Sequence, residues 1–119
     1  PHMRLVEIRT YKLKPGTADR FVAAFQDALP LVRKSGMDVV AFGRSDHEQE
    51  SFYLVRAYKD RAHLESEQNA LYSSDAWRQG PRESLIACLD DYLNTLLWLS
   101  EQSVEDLRSN NGLGVSLVA

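Results

Sequence analysis

Between Leu5 and Leu13 the chain reads LVEIRTYKL, in which Val6 and Ile8 alternate with Glu7, Arg9 and Tyr11. Successive strand residues point to opposite sides of a sheet, so the pattern predicts a strand with one apolar face and one face carrying a carboxylate, a guanidinium and a phenol in a row. Lys14, Pro15 and Gly16 supply a turn, and Thr17 can cap a helix by accepting from the free amides of its first turn. Phe21, Phe25, Ala28, Leu29 and Val32 then fall at helical spacing and make one apolar stripe suited to covering a sheet. Pro30 removes a backbone donor within this helix and predicts a kink, and Gly36 supplies the stop. Two strands follow, roughly Met37–Ser45 and Ser51–Tyr58, joined as a hairpin by the polar turn Asp46–Glu50.

Asp60 opens a helix with Leu64 and Leu71 on one side, and Ser74 can cap another that holds Trp77, Leu85 and Leu89. Gly80 and Pro81 are expected to kink or split it. A last strand, about Asp91–Leu99, is apolar on both faces. The order strand, helix, strand, strand, helix, strand defines the fold class as α+β, a ferredoxin-like βαββαβ unit with a four-stranded antiparallel sheet.

The strands divide into two sets of side chains. Val6, Ile8, Val39, Ala41, Tyr53, Val55, Ala57, Leu93 and Leu97 suit packing under the helices. The other set holds Leu5, Glu7, Arg9, Tyr11, Val40, Phe42, Arg44, Phe52, Leu54, Arg56, Tyr58, Asn94, Leu96 and Trp98. It is too apolar for a solvent face, so a second copy of the same sheet is expected to cover it, giving a homodimer with an enclosed space between the sheets.

Composition narrows the function classes. At 119 residues, with 44% hydrophobic and 26% charged positions, the chain suits one ordinary globular domain. A formal charge of -3 with scattered basic residues offers no nucleic-acid footprint. No apolar run approaches the roughly 20 residues that cross a bilayer, and no secretory leader is evident, so no membrane partner is expected. Cys88 is the single cysteine, which rules out an internal disulfide and points to a cytoplasmic location. Pro1 and His2 precede Met3 and read as added residues outside any site argument.

The segment EIRTYKLKPG at Glu7–Gly16 resembles the opening signature of the NIPSNAP family. The likeness continues with Leu29 and Pro30, with KSGMDVVAF at Lys34–Phe42, with FYLVRAY closing at Tyr58, and with Asp75, Ala76 and Trp77. It covers about Met3 to Leu99. Residues 3–100 are therefore read as a NIPSNAP-like domain and residues 101–119 as a C-terminal extension. The resemblance implies the dimeric α/β barrel fold, shared with cofactor-free antibiotic-biosynthesis monooxygenases, muconolactone isomerase, polyketide-related cyclases, haem-degrading enzymes and chlorite dismutases. NIPSNAP members mostly lack an assigned activity, so it speaks to fold more than to function. Two departures stand out: Arg56 occupies a place where an uncharged residue is expected, and Ser100–Ala119 runs past the usual end. In that extension Ser103 and Asp106 can cap a short helix, Asn110–Gly114 breaks it, and GVSLVA reads as a strand-like end that covers the barrel mouth or crosses to the partner.

The charged face is the candidate site. Glu7, Arg9 and Tyr11 are the expected catalytic group, with Phe42, Arg44, Arg56, Tyr58, Asn94 and Trp98 around a small hydrophobic or aromatic ligand. A carboxylate freed by an apolar cavity can take a proton next to a carbonyl while arginine and tyrosine stabilise the enolate. The competing reading is that Glu7 and Arg9 pair as buried charges must and merely fix register or assembly. His47 and His63 lack partners at ligand spacing, so neither a metal nor haem is expected, and Cys88 among Leu85, Ile86 and Leu89 reads as core. Gly112 and Gly114 do not form a phosphate loop. Two functions follow: a cofactor-independent isomerase, cyclase or monooxygenase acting on an aromatic or polyketide-like carbonyl compound, or a non-catalytic dimeric module for a small hydrophobic anion or a partner protein. An open cavity with Glu7 exposed to it favours the first, and a Glu7 locked by neighbours favours the second.

Overall fold

The alternation in LVEIRTYKL forms β1 (Met3–Leu13), the long central strand on which the rest is laid. The computed structural model describes residues 2–111, so the strand-like end expected at Gly114–Ala119 and the glycines at 112 and 114 lie outside the described residues. The helical stripe becomes α1 (Ala18–Lys34), the hairpin becomes β2 (Asp38–Arg44) and β3 (Ser51–Tyr58), and α2 (Arg61–Tyr72) follows. Two short helices, α3 (Asp75–Arg78) and α4 (Arg82–Ile86), lead into β4 (Leu89–Ser100) and then α5 (Glu101–Ser109). The four strands are antiparallel in the order β2-β3-β1-β4, the ferredoxin-like arrangement. Among the described residues no helix is long and apolar enough to cross a membrane.

Local chemistry places the breaks. α1 runs through Pro30 to Lys34, and Gly36 ends the segment with a φ of +95°, which a side chain would resist. Gly80 separates α3 from α4 because a Cβ there would sit 2.4 Å from the Ala76 carbonyl oxygen. The cap of α1 differs from expectation. Thr17 Oγ1 donates to the Lys14 carbonyl at 2.6 Å instead of accepting, and the Glu50 carboxylate takes the amides of Gly16 and Ala18 at 2.5 and 3.0 Å. A full negative charge on the positive end of a long helix outcompetes a hydroxyl. Asp60 and Ser74 do cap α2 and α3, accepting from the amides of His63 and Trp77. At α5 the cap is Ser100, which accepts from Ser103 N–H, so Ser103 and Asp106 are not the capping pair.

The faces of the sheet are reversed relative to expectation. Glu7 pairs with Arg56 and Leu96, and Arg9 pairs with Leu54 and Asn94, so the charged residues share one face as the alternation demands. That face lies beneath α1 and α2. The reason is packing: the rings of Phe21 and Phe25 on α1 stand 4.9 to 5.2 Å from Phe52 and Phe42, which project from the charged face. Alternation groups residues by side but does not say which side receives the helices.

One strand also changes phase. Val39 pairs with Arg56 and Ala41 with Val55, which leaves Val40 as the extra residue of a β-bulge. Val39 therefore shares the side of Glu7 and Arg56 and lies under the helices, whereas Val40 joins Val6 and Ala41 on the opposite face, so the two exchange the sets that simple alternation gave them.

The opposite face, with Val6, Val40, Ala41, Val55 and Ala57, is covered at one end by α5 through the buried Val104 and the partly buried Leu107. The chain thus covers part of this face with its own C-terminal helix. Asp38 on β2 anchors this helix, accepting from Arg108 at 2.8 Å and from Arg4 at 3.1 Å. Asn111 adds a clasp, accepting from the Phe42 amide and donating to the Tyr53 hydroxyl. β4 is the least covered strand, with Tyr92, Leu93 and Trp98 more than half exposed.

Candidate functional site

A cavity lies inside the single chain, between the charged sheet face and the helices. This cavity has a volume of about 370 Å³, at the small end of the range for ligand pockets. β1 contributes Arg9 and Tyr11, β3 contributes Leu54 and Arg56, and β4 contributes Tyr92. α1 adds Phe21 and Phe25, α2 adds Gln68 and Tyr72, and the short helices add Trp77, Arg82 and Leu85. The wall holds three arginines and no carboxylate.

Glu7 stands behind this wall and is 1% exposed. Its Oε1 accepts from Arg56 Nε at 2.8 Å, and Arg56 Nη2 lies 2.5 Å from the same oxygen without a well-directed hydrogen bond. Its Oε2 accepts from Gln68 Nε2 and Asn94 Nδ2, both at 3.0 Å, and from Arg9 Nη2 at a long 3.4 Å. Both carboxylate oxygens are fully engaged. Glu7 thus takes the locked arrangement rather than the open one a general base needs.

The two arginines are unequal. Arg56 is 1% exposed and bonded through Nε and Nη1, with Nη1 donating to the Tyr72 hydroxyl at 2.6 Å and toward Met37 Sδ at 3.2 Å. Burial opposes its charge, but Tyr72 and Glu7 beside it outweigh that and hold the guanidinium above its ordinary value. Arg9 donates from Nε to Asn94 Oδ1 at 2.8 Å and lies under the Tyr92 ring, 4.6 Å from its centroid. Burial raises Tyr11, with Tyr72 adding to the effect, while the charges of Arg9 and Arg56 and a hydrogen bond with Arg9 pull the other way. Burial pushes the Tyr58 phenol up to about 12, against the pull of Arg56.

The expected residues therefore separate. Arg9, Tyr11 and Arg56 line the cavity, and Glu7 and Asn94 orient the guanidinium groups from behind. Phe42 is buried against Phe25 in the core, and Tyr58 accepts from Gln68 at 3.2 Å without reaching the cavity. Arg44 pairs with Asp19 on the outside, and Trp98 is 52% exposed on the far end of β4. These four were expected in the wall because they share a sheet face with Arg9. A cavity occupies only the middle of that face, and alternation carries no information along the strand.

Gln68, Tyr72, Trp77, Arg82 and Tyr92 are wall residues that sequence reasoning did not place. Gln68 and Tyr72 stand four apart on α2, beside the apolar Leu64 and Leu71, and a polar pair on the buried side of a helix is the signal available for them. His63 is held by the Lys59 amide on Nδ1 at 3.0 Å and lies edge-on to Tyr58, away from the cavity. Among the described residues no group of three or more His, Cys, Asp or Glu is arranged to hold a metal ion. Cys88 is fully buried in the core, as its neighbours imply.

The fold and this buried polar cluster define a ferredoxin-like α+β domain with an internal cavity. The NIPSNAP family pattern matches residues 6–90, and the chain belongs to that family. Its structure is similar to that of a NIPSNAP domain protein from Burkholderia xenovorans at 22% identity and a TM-score of 0.70, covering 78% of this chain and 91% of that one. It is also similar to a NIPSNAP family protein from Agrobacterium tumefaciens at 15% identity and a TM-score of 0.73, covering 87% and 90%. A third similar structure, from Bordetella bronchiseptica, is provisionally assigned as an antibiotic biosynthesis monooxygenase, with 20% identity, a TM-score of 0.62 and coverage of 85% and 98%. No curated protein matches the chain. At these identities the structures speak to fold.

Proposed function

We propose that the domain holds a small, mostly apolar molecule inside each protomer, with Arg9 and Tyr11 addressing its polar end and Arg56 fixed behind them. The observation that carries this reading is the cavity whose apolar wall is broken by a few convergent polar groups, with Arg9 and Tyr11 side by side on β1. Glu7 serves here to fix this cluster, accepting from the guanidinium groups of Arg56 and Arg9 and from the side-chain amides of Gln68 and Asn94.

The test uses the tryptophan in the wall. In a Trp98→Phe variant the emission comes from Trp77 alone, and titration with aromatic acids and ketones should quench or shift it saturably. Ligands that bind with chemical-shift changes confined to the outer surface, leaving Trp77 and Gln68 unmoved, would rule the cavity out.

The catalytic reading is a cofactor-independent isomerase, cyclase or monooxygenase acting on an aromatic or polyketide-like carbonyl compound. The same two side chains favour it, because an arginine and a phenol on one wall suit a developing oxyanion. The provisional assignment of the Bordetella bronchiseptica protein is consistent with that chemistry in a related fold. With Glu7 enclosed, catalysis would come from oxyanion stabilisation in place of proton abstraction by that carboxylate. Turnover of an enolisable ketone that falls in Arg9→Gln yet survives in a folded Glu7 variant supports this route.

We infer pairing with a second copy through β4, whose Leu93 is 73% and Trp98 52% exposed. Exposed apolar groups on an edge strand are a liability unless covered, and the implied family architecture is dimeric. Sedimentation should give a dimer that Leu93→Asp weakens; a monomer at all concentrations would end this part of the proposal.

A further inference from the structure

The charge count around the cavity is uneven. Arg9 and Arg56 carry two positive charges, and among the described residues Glu7 is the one carboxylate that reaches either of them. Distance decides how it is shared: Glu7 contacts Arg56 at 2.5 to 2.8 Å and Arg9 at 3.4 Å. Arg56 takes the larger share of that negative charge, and Arg9 keeps most of its own, held by the long contact to Glu7, the neutral amide of Asn94 and the Tyr92 ring. Arg82, the third arginine of the wall, is already paired with Glu83 at 2.9 Å.

A guanidinium that is only loosely paired at an apolar wall tolerates its position while water reaches it. When an occupant expels that water the charge must be met by the occupant itself. A neutral body leaves one positive charge uncompensated, and a dianion replaces it with one negative charge. A single negative charge balances the cluster. The Arg9 guanidinium, whose bonds to Asn94 and Glu7 use Nε and Nη2, stands beside the Tyr11 hydroxyl and presents planar donors of the kind a carboxylate accepts.

We propose that the occupant is a monocarboxylic acid with a compact apolar body, its carboxylate seated on Arg9 and Tyr11 and its body among Phe21, Phe25, Trp77 and Leu85. This rests on the cavity reading above and adds the charge and the orientation of the ligand.

The experiment compares shape-matched pairs, namely naphthoate with naphthamide and decanoate with decanamide, by calorimetry on the native chain and on Arg9→Gln. The native chain is expected to bind at least one carboxylate about 10- to 100-fold more tightly than its amide, the span a charge-assisted contact gives. In Arg9→Gln that preference is expected to collapse while amide binding is retained. Equal affinity within both pairs on the native chain overturns the carboxylate assignment and leaves the cavity reading standing. No binding by any of the four overturns both. A preference that survives in a folded Arg9→Gln overturns the role given to Arg9. The native comparison needs no variant, so a poorly folding Arg9→Gln still leaves the assignment testable.

Discussion

Glu7 and Arg56 face each other across β1 and β3, with Nε 2.8 Å from Oε1 and both side chains 1% exposed. Each is tolerable inside the domain because of the other. Removing one partner strands a charge where water cannot reach, whereas replacing both with apolar groups of similar volume removes the problem.

Glu7→Gln should therefore destabilise the domain by about 3–5 kcal/mol in urea unfolding, and the double change Glu7→Leu with Arg56→Met should recover much of that loss. A Glu7→Gln variant as stable as the native chain would show that the pair is not what holds this region.

Asp38 predicts how α5 responds to acid. Burial pushes its carboxyl up, but hydrogen bonds from Arg108 and Arg4 outweigh that and hold it below the usual aspartate range. A depressed carboxyl contributes stability that is present above the unfolded value of about 3.9 and is lost as pH falls through the folded value. Amides of α5 should thus exchange faster as the solution is acidified below about pH 4, and Asp38→Asn should show that fast exchange at neutral pH. Exchange that is insensitive to both would detach α5 from this ion cluster.

Tyr58 predicts the alkaline limit. Its phenol, pushed up to about 12 mainly by burial, holds its proton more tightly in the folded chain than the ordinary value near 10. Stability linked to it is intact below about pH 10 and declines as pH rises toward 12. Tyr58→Phe should flatten that decline in denaturant titrations. An unchanged slope would mean that other groups set it.

Val104 predicts how much the C-terminal helix contributes. It is 1% exposed against Val6, Ala41, Val55 and Ala57, so Val104→Ala should cost about 2 kcal/mol and Val104→Asp should release α5 from the sheet. Release would appear as added dye binding to the uncovered face, and an unchanged thermal midpoint in Val104→Asp would contradict the packing described.

The sequence by itself carried the element order, because the apolar periods switch from two to about four and back at turn and cap residues that have local causes. It also grouped Glu7, Arg9, Tyr11, Arg56 and Asn94 on one side, since alternation along a strand is a property of the backbone. Which side met the helices was decided only in three dimensions, where the Phe21 and Phe25 rings found Phe42 and Phe52 and drew the charged face inward. The bulge at Val40, the capping of α1 by Glu50, and the choice of Arg56 over Arg9 as the partner of Glu7 depend on ångström-scale distances between segments far apart in the chain. Those distances come from how whole elements pack, and no local pattern encodes them.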